Sequence, residues 1–133
     1  MEMEKISAAF LKAAQVAKKH AVAICLTIVD QGGHIVYQAR MEDANYMTNE
    51  VSFLKAKTAF LFKCPTNTLR TIVEKLPFLL KTIEIVPGDA FMIEGGLPLV
   101  TDGRVIGGVG VSGGNFEQDL LIANAFVEFL NNN

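Results

Sequence analysis

The stretch Glu94 to Asp119, EGGLPLVTDGRVIGGVGVSGGNFEQD, limits the possible folds more than any other part of the chain. Asp102-Gly103 tolerates the positive φ of a tight two-residue turn and is flanked by apolar runs. Leu97 to Thr101 and Arg104 to Val111 are therefore predicted to pair as an antiparallel hairpin. Gly107, Gly108 and Gly110 strip side chains from part of the second strand. Such a strand is weakened by entropy, and the usual reason is that another backbone or a ligand comes close. A pocket or a tight subunit contact is expected there.

Two motifs within the stretch fail on context. Gly108-Val-Gly-Val-Ser-Gly113 matches the G-x-G-x-x-G pattern of dinucleotide-binding folds, which requires a following helix, a parallel return strand and an acidic residue about 20 positions on. Here the strand belongs to a hairpin, and Glu117 and Asp119 already occupy the positive end of the next helix. Gly110-Val-Ser112-Gly-Gly114 satisfies G-x-S-x-G, but that mechanism needs a histidine downstream, and none follows Ser112. Ser112, Gly113 and Gly114 instead suit a backbone turn that offers N–H groups to a ligand oxygen.

Before this stretch, Ile6, Ala9, Phe10, Ala13, Val16 and Ala17 recur at helical spacing and predict an amphipathic helix over 3–19. Ala21 to Val29 is an unbroken apolar run, predicted to be a strand covered on both faces. Asp30 to Gly33 forms a turn, and His34 to Arg40 is the returning strand. After a polar loop over 41–47, Thr48 or Asn49 caps a helix that Pro65 ends. Leu69 to Leu76 fits a short helix stopped by Pro77, followed by an irregular connection over 78–89 and a short strand over 90–93. Asn115 and Gln118 resemble a capping box for a closing helix over 116–130, with Asn131 to Asn133 fraying. The order α-β-β-α-α-β-β-β-α, built from hairpins, implies a single α+β domain over 1–133, with an antiparallel sheet and helices packed on it.

Half of the residues are apolar, and the mean hydropathy is +0.32. That is high for a small domain, so apolar area is expected to be covered by another copy, in a dimer or larger homo-oligomer. A formal net charge of -2 lacks the basic footprint that nucleic acid requires. Cys25 and Cys64 have no metal-binding spacing and are read as thiols. The start has no basic region followed by an apolar one, and no apolar run is long enough to span a bilayer, so a cytoplasmic protein without membrane association is expected.

Few residues could carry chemistry. His20 and His34 are the only histidines. They are too few for a metal site, which normally takes three or more ligands, although haem needs only one axial ligand in an apolar setting. Met41, Met47 and Met92 are weaker candidates for the same role. Lys55 and Lys57 read first as solvated helix charges. If Arg40, Lys55 and Asp119 converge on the glycine strand, they could instead fix a polar or anionic small ligand, with Lys55 or Asp119 able to move a proton.

Arg40-Met41, Lys55-Ala-Lys-Thr-Ala59, Pro65, Gly95-Gly96-Leu-Pro98, Asp102-Gly103, Val105-Ile-Gly107, Gly110-Val-Ser-Gly-Gly114 and Gln118-Asp119 together resemble the GlcG/HbpS-like family, which also includes the C-terminal domain of PduO-type proteins. The resemblance covers nearly the whole chain, and its glycine-rich C-terminal half is the specific part. It implies a five-stranded antiparallel sheet flanked by helices in a profilin-like arrangement, association into dimers and larger oligomers, and haem binding in some members. It also implies an accessory role beside glycolate, propanediol or glycerol utilisation, with no agreed reaction. The expected function is therefore a binder of haem or another tetrapyrrole, with Arg40, Lys55, Gly95, Gly96, Ser112, Gly113, Gly114 and Asp119 near the ligand and His20 or His34 as axial candidates. The alternative is an enzyme of small hydroxy-acid or aldehyde metabolism. The usual Arg-Met-Asp-Gly pattern reads Arg40-Met-Glu-Asp43 here, and no family haem ligand matches a definite position.

Overall fold

In the computed structural model, which describes all residues from Met1 to Asn133, the nine elements are α1 (Met3–Lys19), β1 (Cys25–Val29), β2 (Ile35–Arg40), α2 (Met47–Phe62), α3 (Thr66–Lys75), α4 (Leu79–Ile85), β3 (Gly96–Thr101), β4 (Arg104–Ser112) and α5 (Phe116–Asn132). The strands form one antiparallel sheet in the order β2-β1-β4-β3.

The sheet has four strands, where five were expected. Residues 90–93 form no strand because side chains of neighbouring helices take up their backbone groups. The Phe91 N–H donates to Thr58 Oγ1 at 2.9 Å, the Met92 carbonyl accepts from Arg70 at 3.1 Å, and the Ile93 carbonyl accepts from the Thr66 hydroxyl. The connection expected to be irregular over 78–89 contains the short helix α4, which buries Ile83 against Leu69 and Val73. The closing helix also runs on to Asn132, beyond the expected start of fraying.

Strand alternation gives the sheet two unlike faces. On one side Leu26 and Ile28 of β1, Leu97 and Leu99 of β3, and Val109 and Val111 of β4 meet Ile6, Ala9, Ala13 and Ala17 of α1 and Ile122 and Phe126 of α5. Burying this aliphatic layer is the main favourable term in folding, about 1.5–3 kcal/mol for each fully buried large side chain. The other side carries Cys25 and Thr27 of β1 and, in register with them, Ser112 and Gly110 of β4. It is small and polar, and α2 covers it.

The buried face of α2 matches that surface. Thr48, Ser52, Lys55, Ala56, Thr58 and Ala59 are buried, whereas Leu61 is exposed. Small residues on the helix and glycines on the strand let the two backbones approach closely. A Cβ at Gly108 would collide with the Ala56 carbonyl oxygen, and one at Gly110 with the Ser52 carbonyl oxygen. Thr27 and Ser52 join their hydroxyls across this interface at 2.7 Å.

Each hairpin carries a bulge at the same end of the sheet. Pairing shifts between Ile28↔Tyr37 and Val29↔Ile35, which leaves Val36 unpaired; it shifts again between Leu99↔Gly107 and Val100↔Val105, which leaves Ile106 unpaired. Bulges re-aim side chains, and both of these residues line one groove beside Met3 and Ile6 of α1, with a volume of 560 Å³. No helix is long and apolar enough to cross a membrane.

Candidate functional site: a buried lysine–aspartate pair at the glycine turns

Lys55 and Asp119 meet in the interior. Lys55 projects from α2 and Asp119 from the first turns of α5; the Nζ–Oδ2 distance is 3.0 Å, and the side chains are only 2% and 4% exposed. Lys55 Nζ also donates to the Val111 carbonyl at 2.8 Å, and Asp119 Oδ1 accepts the Gly114 N–H at 2.8 Å. Burial pushes the Lys55 ammonium down and the Asp119 carboxyl up, and each partner's charge opposes the shift of the other. A buried pair with most of its polar atoms engaged holds elements in place. This one ties α2, the end of β4 and the start of α5 together.

The start of α5 is well determined. The Asn115 side chain accepts from the Gln118 N–H at 2.8 Å while the Gln118 side chain accepts from the Asn115 N–H at 2.9 Å, which forms the expected capping box. That cap fixes the first turn and so aims Asp119 inward.

The Gly95-Gly96 turn closes over the pair. The Gly95 carbonyl accepts the Val111 N–H at 2.9 Å. Gly95 has φ +120, and a Cβ there would lie 3.1 Å from Lys55 Nζ and 3.1 Å from the Asp119 Cβ. Glycine is required both for this conformation and for the space. The Gly96 N–H donates to Thr66 Oγ1 at 3.1 Å. Just before the turn, Glu94 receives two bonds from Arg70, at 2.6 and 3.0 Å. The Arg70 guanidinium holds the Glu94 carboxyl below its usual range, and the more distant Lys55 charge adds to this.

Thr66, Arg70 and Glu94 were not among the residues expected to matter. Spacing offers one signal for the buried lysine: Ser52, Lys55, Ala56 and Ala59 share a helical face with small neighbours, which is the face a glycine strand can accept. Arg70 and Glu94 lie 24 positions apart, and no local pattern joins them.

Among the other expected site residues, only Gly114 is hydrogen-bonded to the pair. Arg40 is exposed, donates to the Ala44 carbonyl at 3.0 Å and sits 4.7 Å from the centre of the Tyr46 ring. Ser112 aligns with Cys25, which aligns with Arg40 on the next strand, so these three form a row across the sheet. Burial pushes the Cys25 thiol up. A Cβ at Gly113 would collide with the Ala23 carbonyl oxygen. The Gly114 N–H, expected to face a ligand, is bound to Asp119. Lys57 is a surface charge, 3.0 Å from Asp89.

The two histidines sit at different ends of elements. His20 ends α1 directly after Lys18 and Lys19 and is exposed. His34 is also exposed and lies against Gly32, one of the residues that line the 560 Å³ groove; a Cβ on Gly32 would lie 2.7 Å from its ring. Five hollows in the surface are lined by residues other than Lys55 and Asp119.

Comparison with known proteins agrees with this architecture. The chain is 34% identical over 107 residues to an uncharacterised 15.0 kDa protein encoded between dhaT and dhaS in Citrobacter freundii, covering 80% of this chain and 75% of that one. It is also 34% identical over 115 residues to the corrinoid adenosyltransferase PduO of Salmonella typhimurium, covering 86% of this chain but only 34% of PduO, so it spans about a third of that protein. The crystal structure of a PduOC:haem complex superposes with a TM-score of 0.89 at 30% identity, covering 98% of this chain and 95% of that one. The family model described as haem-degrading protein HbpS-like matches residues 1–128, and the chain belongs to the HbpS-like family.

Proposed function

We propose that this protein binds haem or a related tetrapyrrole as an accessory protein, with no reaction of its own assigned. The observation that carries this reading is the match, over nearly the full chain, to a structure whose partner molecule is haem. The corrinoid-acting relative points to the same broad ligand class.

The residues present fit such a ligand at the surface. Haem would supply an iron that His20 or His34 could hold, and both imidazoles are exposed. His20 follows Lys18 and Lys19, whose ammonium groups suit anionic propionates. His34 lies next to the groove lined by Met3, Ile6, Val36 and Ile106 together with Asp30 and Gln31, whose apolar part suits a flat ring. The closed interior around Lys55 and Asp119 favours a structural role for that pair and counts against the alternative of an acid–base enzyme, which would need one of them to reach substrate.

Titration with haemin followed by absorbance tests the reading. A saturable shift of the Soret band is expected, lost in either His20→Ala or His34→Ala and kept in the other. No shift in the parent protein would reject haem, and a shift that survives loss of both imidazoles would reject histidine ligation.

A further inference from the structure

From Val86 to Gly95 the chain crosses from α4 to β3 without helix or strand. The part next to β3 is fastened by side chains of α2 and α3. Thr58 accepts the Phe91 N–H, Arg70 donates to the Met92 carbonyl and again to the Glu94 carboxylate, and the Thr66 hydroxyl donates to the Ile93 carbonyl. Contact with the sheet begins only where the Gly95 carbonyl accepts the Val111 N–H. Gly95 lies directly against Lys55 Nζ and the Asp119 side chain, so this segment is the cover of the buried pair.

The fastening lies near the surface, whereas what it covers does not. The Arg70 and Glu94 side chains are 35% and 17% exposed, and those of Lys55 and Asp119 only 2% and 4%. Side-chain hydrogen bonds close to solvent exchange for bonds to water at small net cost, so a segment held in this way opens locally far more easily than the whole domain unfolds. Gly88 at φ +89 and Gly95 at φ +120 stand near its two ends and can absorb the change in backbone direction. The pair beneath carries a second signal. A lysine ammonium has one N–H more than the acceptors that Lys55 finds, which are the Val111 carbonyl and the Asp119 carboxylate. A buried donor left over in this way is satisfied by water whenever water can reach it.

We propose that residues 91–95 are a strap latched by Arg70, and that release of the latch opens Lys55 and Asp119 to water and small electrophiles as a cryptic polar site. The sealed pair is the resting state. Once the strap lifts, the Asp119 carboxylate can take a proton from the Lys55 ammonium, and the free amine is then a nucleophile. Neither histidine bonds to the strap, so the inference stands apart from haem binding.

Acetylation of the full chain by acetic anhydride, followed by mass spectrometry, tests the latch. The exposed Lys12 serves as the internal reference. In the parent protein Lys55 should be labelled much more slowly than Lys12, at a rate that low concentrations of urea leave unchanged, as local opening requires. Arg70→Gln removes both ties that Arg70 makes and should speed Lys55 labelling at least about tenfold, with Lys12 unaffected. Glu94→Gln, which keeps the tie from Arg70 to the Met92 carbonyl, should give a smaller increase. Glu74→Gln removes a charge that touches Arg70 at 3.4 Å but no residue of the strap, and should change the rate less than about twofold. Equal labelling of Lys55 in the parent and Arg70→Gln overturns the proposal. So does labelling that follows urea as global unfolding does, since the pair would then be reached only by unfolding the domain. The absorbance titration with haemin is unaffected by either result, so the two proposals fail separately.

Discussion

Removing the Asp119 carboxylate leaves an ammonium in the interior without its counter-charge, and the cost can be worked from the contacts. In Asp119→Ala, Lys55 Nζ keeps the Val111 carbonyl and loses its 3.0 Å partner, while the Gly114 N–H loses its 2.8 Å acceptor. Breaking a buried ion pair costs about 3–5 kcal/mol, and an orphaned N–H about 1–3 kcal/mol more if it remains dry. Some water will reach the vacated site, so a loss of about 4 kcal/mol is expected, a large part of the 5–15 kcal/mol that stabilises a typical domain. Urea unfolding should show the midpoint falling by about 2 M, for a slope near 2 kcal/mol per M. The diagnostic variant is the double one. Lys55→Met in the Asp119→Ala background removes the stranded charge and keeps an apolar stem, so it should restore about 2 kcal/mol. A rescue of that sign is the signature of charge coupling, since two unrelated losses would add. If Asp119→Ala costs less than about 1 kcal/mol, or if Lys55→Met makes it worse, the pair does not hold these elements together.

Three further outcomes are expected. Gly110→Ala should destabilise by about 3 kcal/mol or more, because its methyl meets the Ser52 carbonyl and the Ala56 N at 2.7 Å; Gly103→Asn, at a turn with nothing within 4 Å, should change stability by less than about 1 kcal/mol in the same urea assay. Glu94 has a lowered pKa in the folded state, so its contribution is present above the unfolded carboxylate value and disappears as pH falls through the folded value. Stability measured from pH 6 downward should therefore drop more steeply in the parent than in Glu94→Gln, by no more than about 1 kcal/mol for a pair this near the surface. Asn115→Ala should cost about 1 kcal/mol in thermal unfolding through loss of the α5 cap, with the helix otherwise retained.

Most elements were legible because their signals are local. The periodicity of α1, the Asp102-Gly103 turn and the Asn115–Gln118 box each draw on residues close together, and all three stand as expected. Residues 90–93 make no fifth strand because their backbone groups are claimed by Thr58, Thr66 and Arg70, distant residues whose reach no local window reveals. α2 misled in another way. Its exposed or half-exposed residues include Val51, Phe53, Leu54 and Leu61, and its buried ones include Ser52, Lys55 and Thr58. A rule that buries the apolar stripe inverts this helix, because the surface it meets is made of glycine, threonine and cysteine. The glycines did signal a close approach, but α2 of the same chain is what approaches, where a pocket or a subunit contact is the expectation from sequence.

The close packing of α2 on the glycine strand limits where a ligand can sit. The aliphatic face of the sheet is covered by α1 and α5, and the small polar face by α2, so the space left by the missing side chains of Gly108 and Gly110 is filled by the chain itself. The Gly95 turn and the Lys55–Asp119 pair close the end of that interface. A flat tetrapyrrole is too large to enter between layers sealed in this way without separating α2 from the sheet. Binding at the outside of the domain therefore predicts that haemin raises the unfolding midpoint by ordinary mass action and leaves the Thr27–Ser52 interface intact. Hydrogen exchange separates the two cases. Protection of the α2 and β4 amides should be unchanged or increased on haemin addition, and loss of that protection would show that the ligand opens the fold from within.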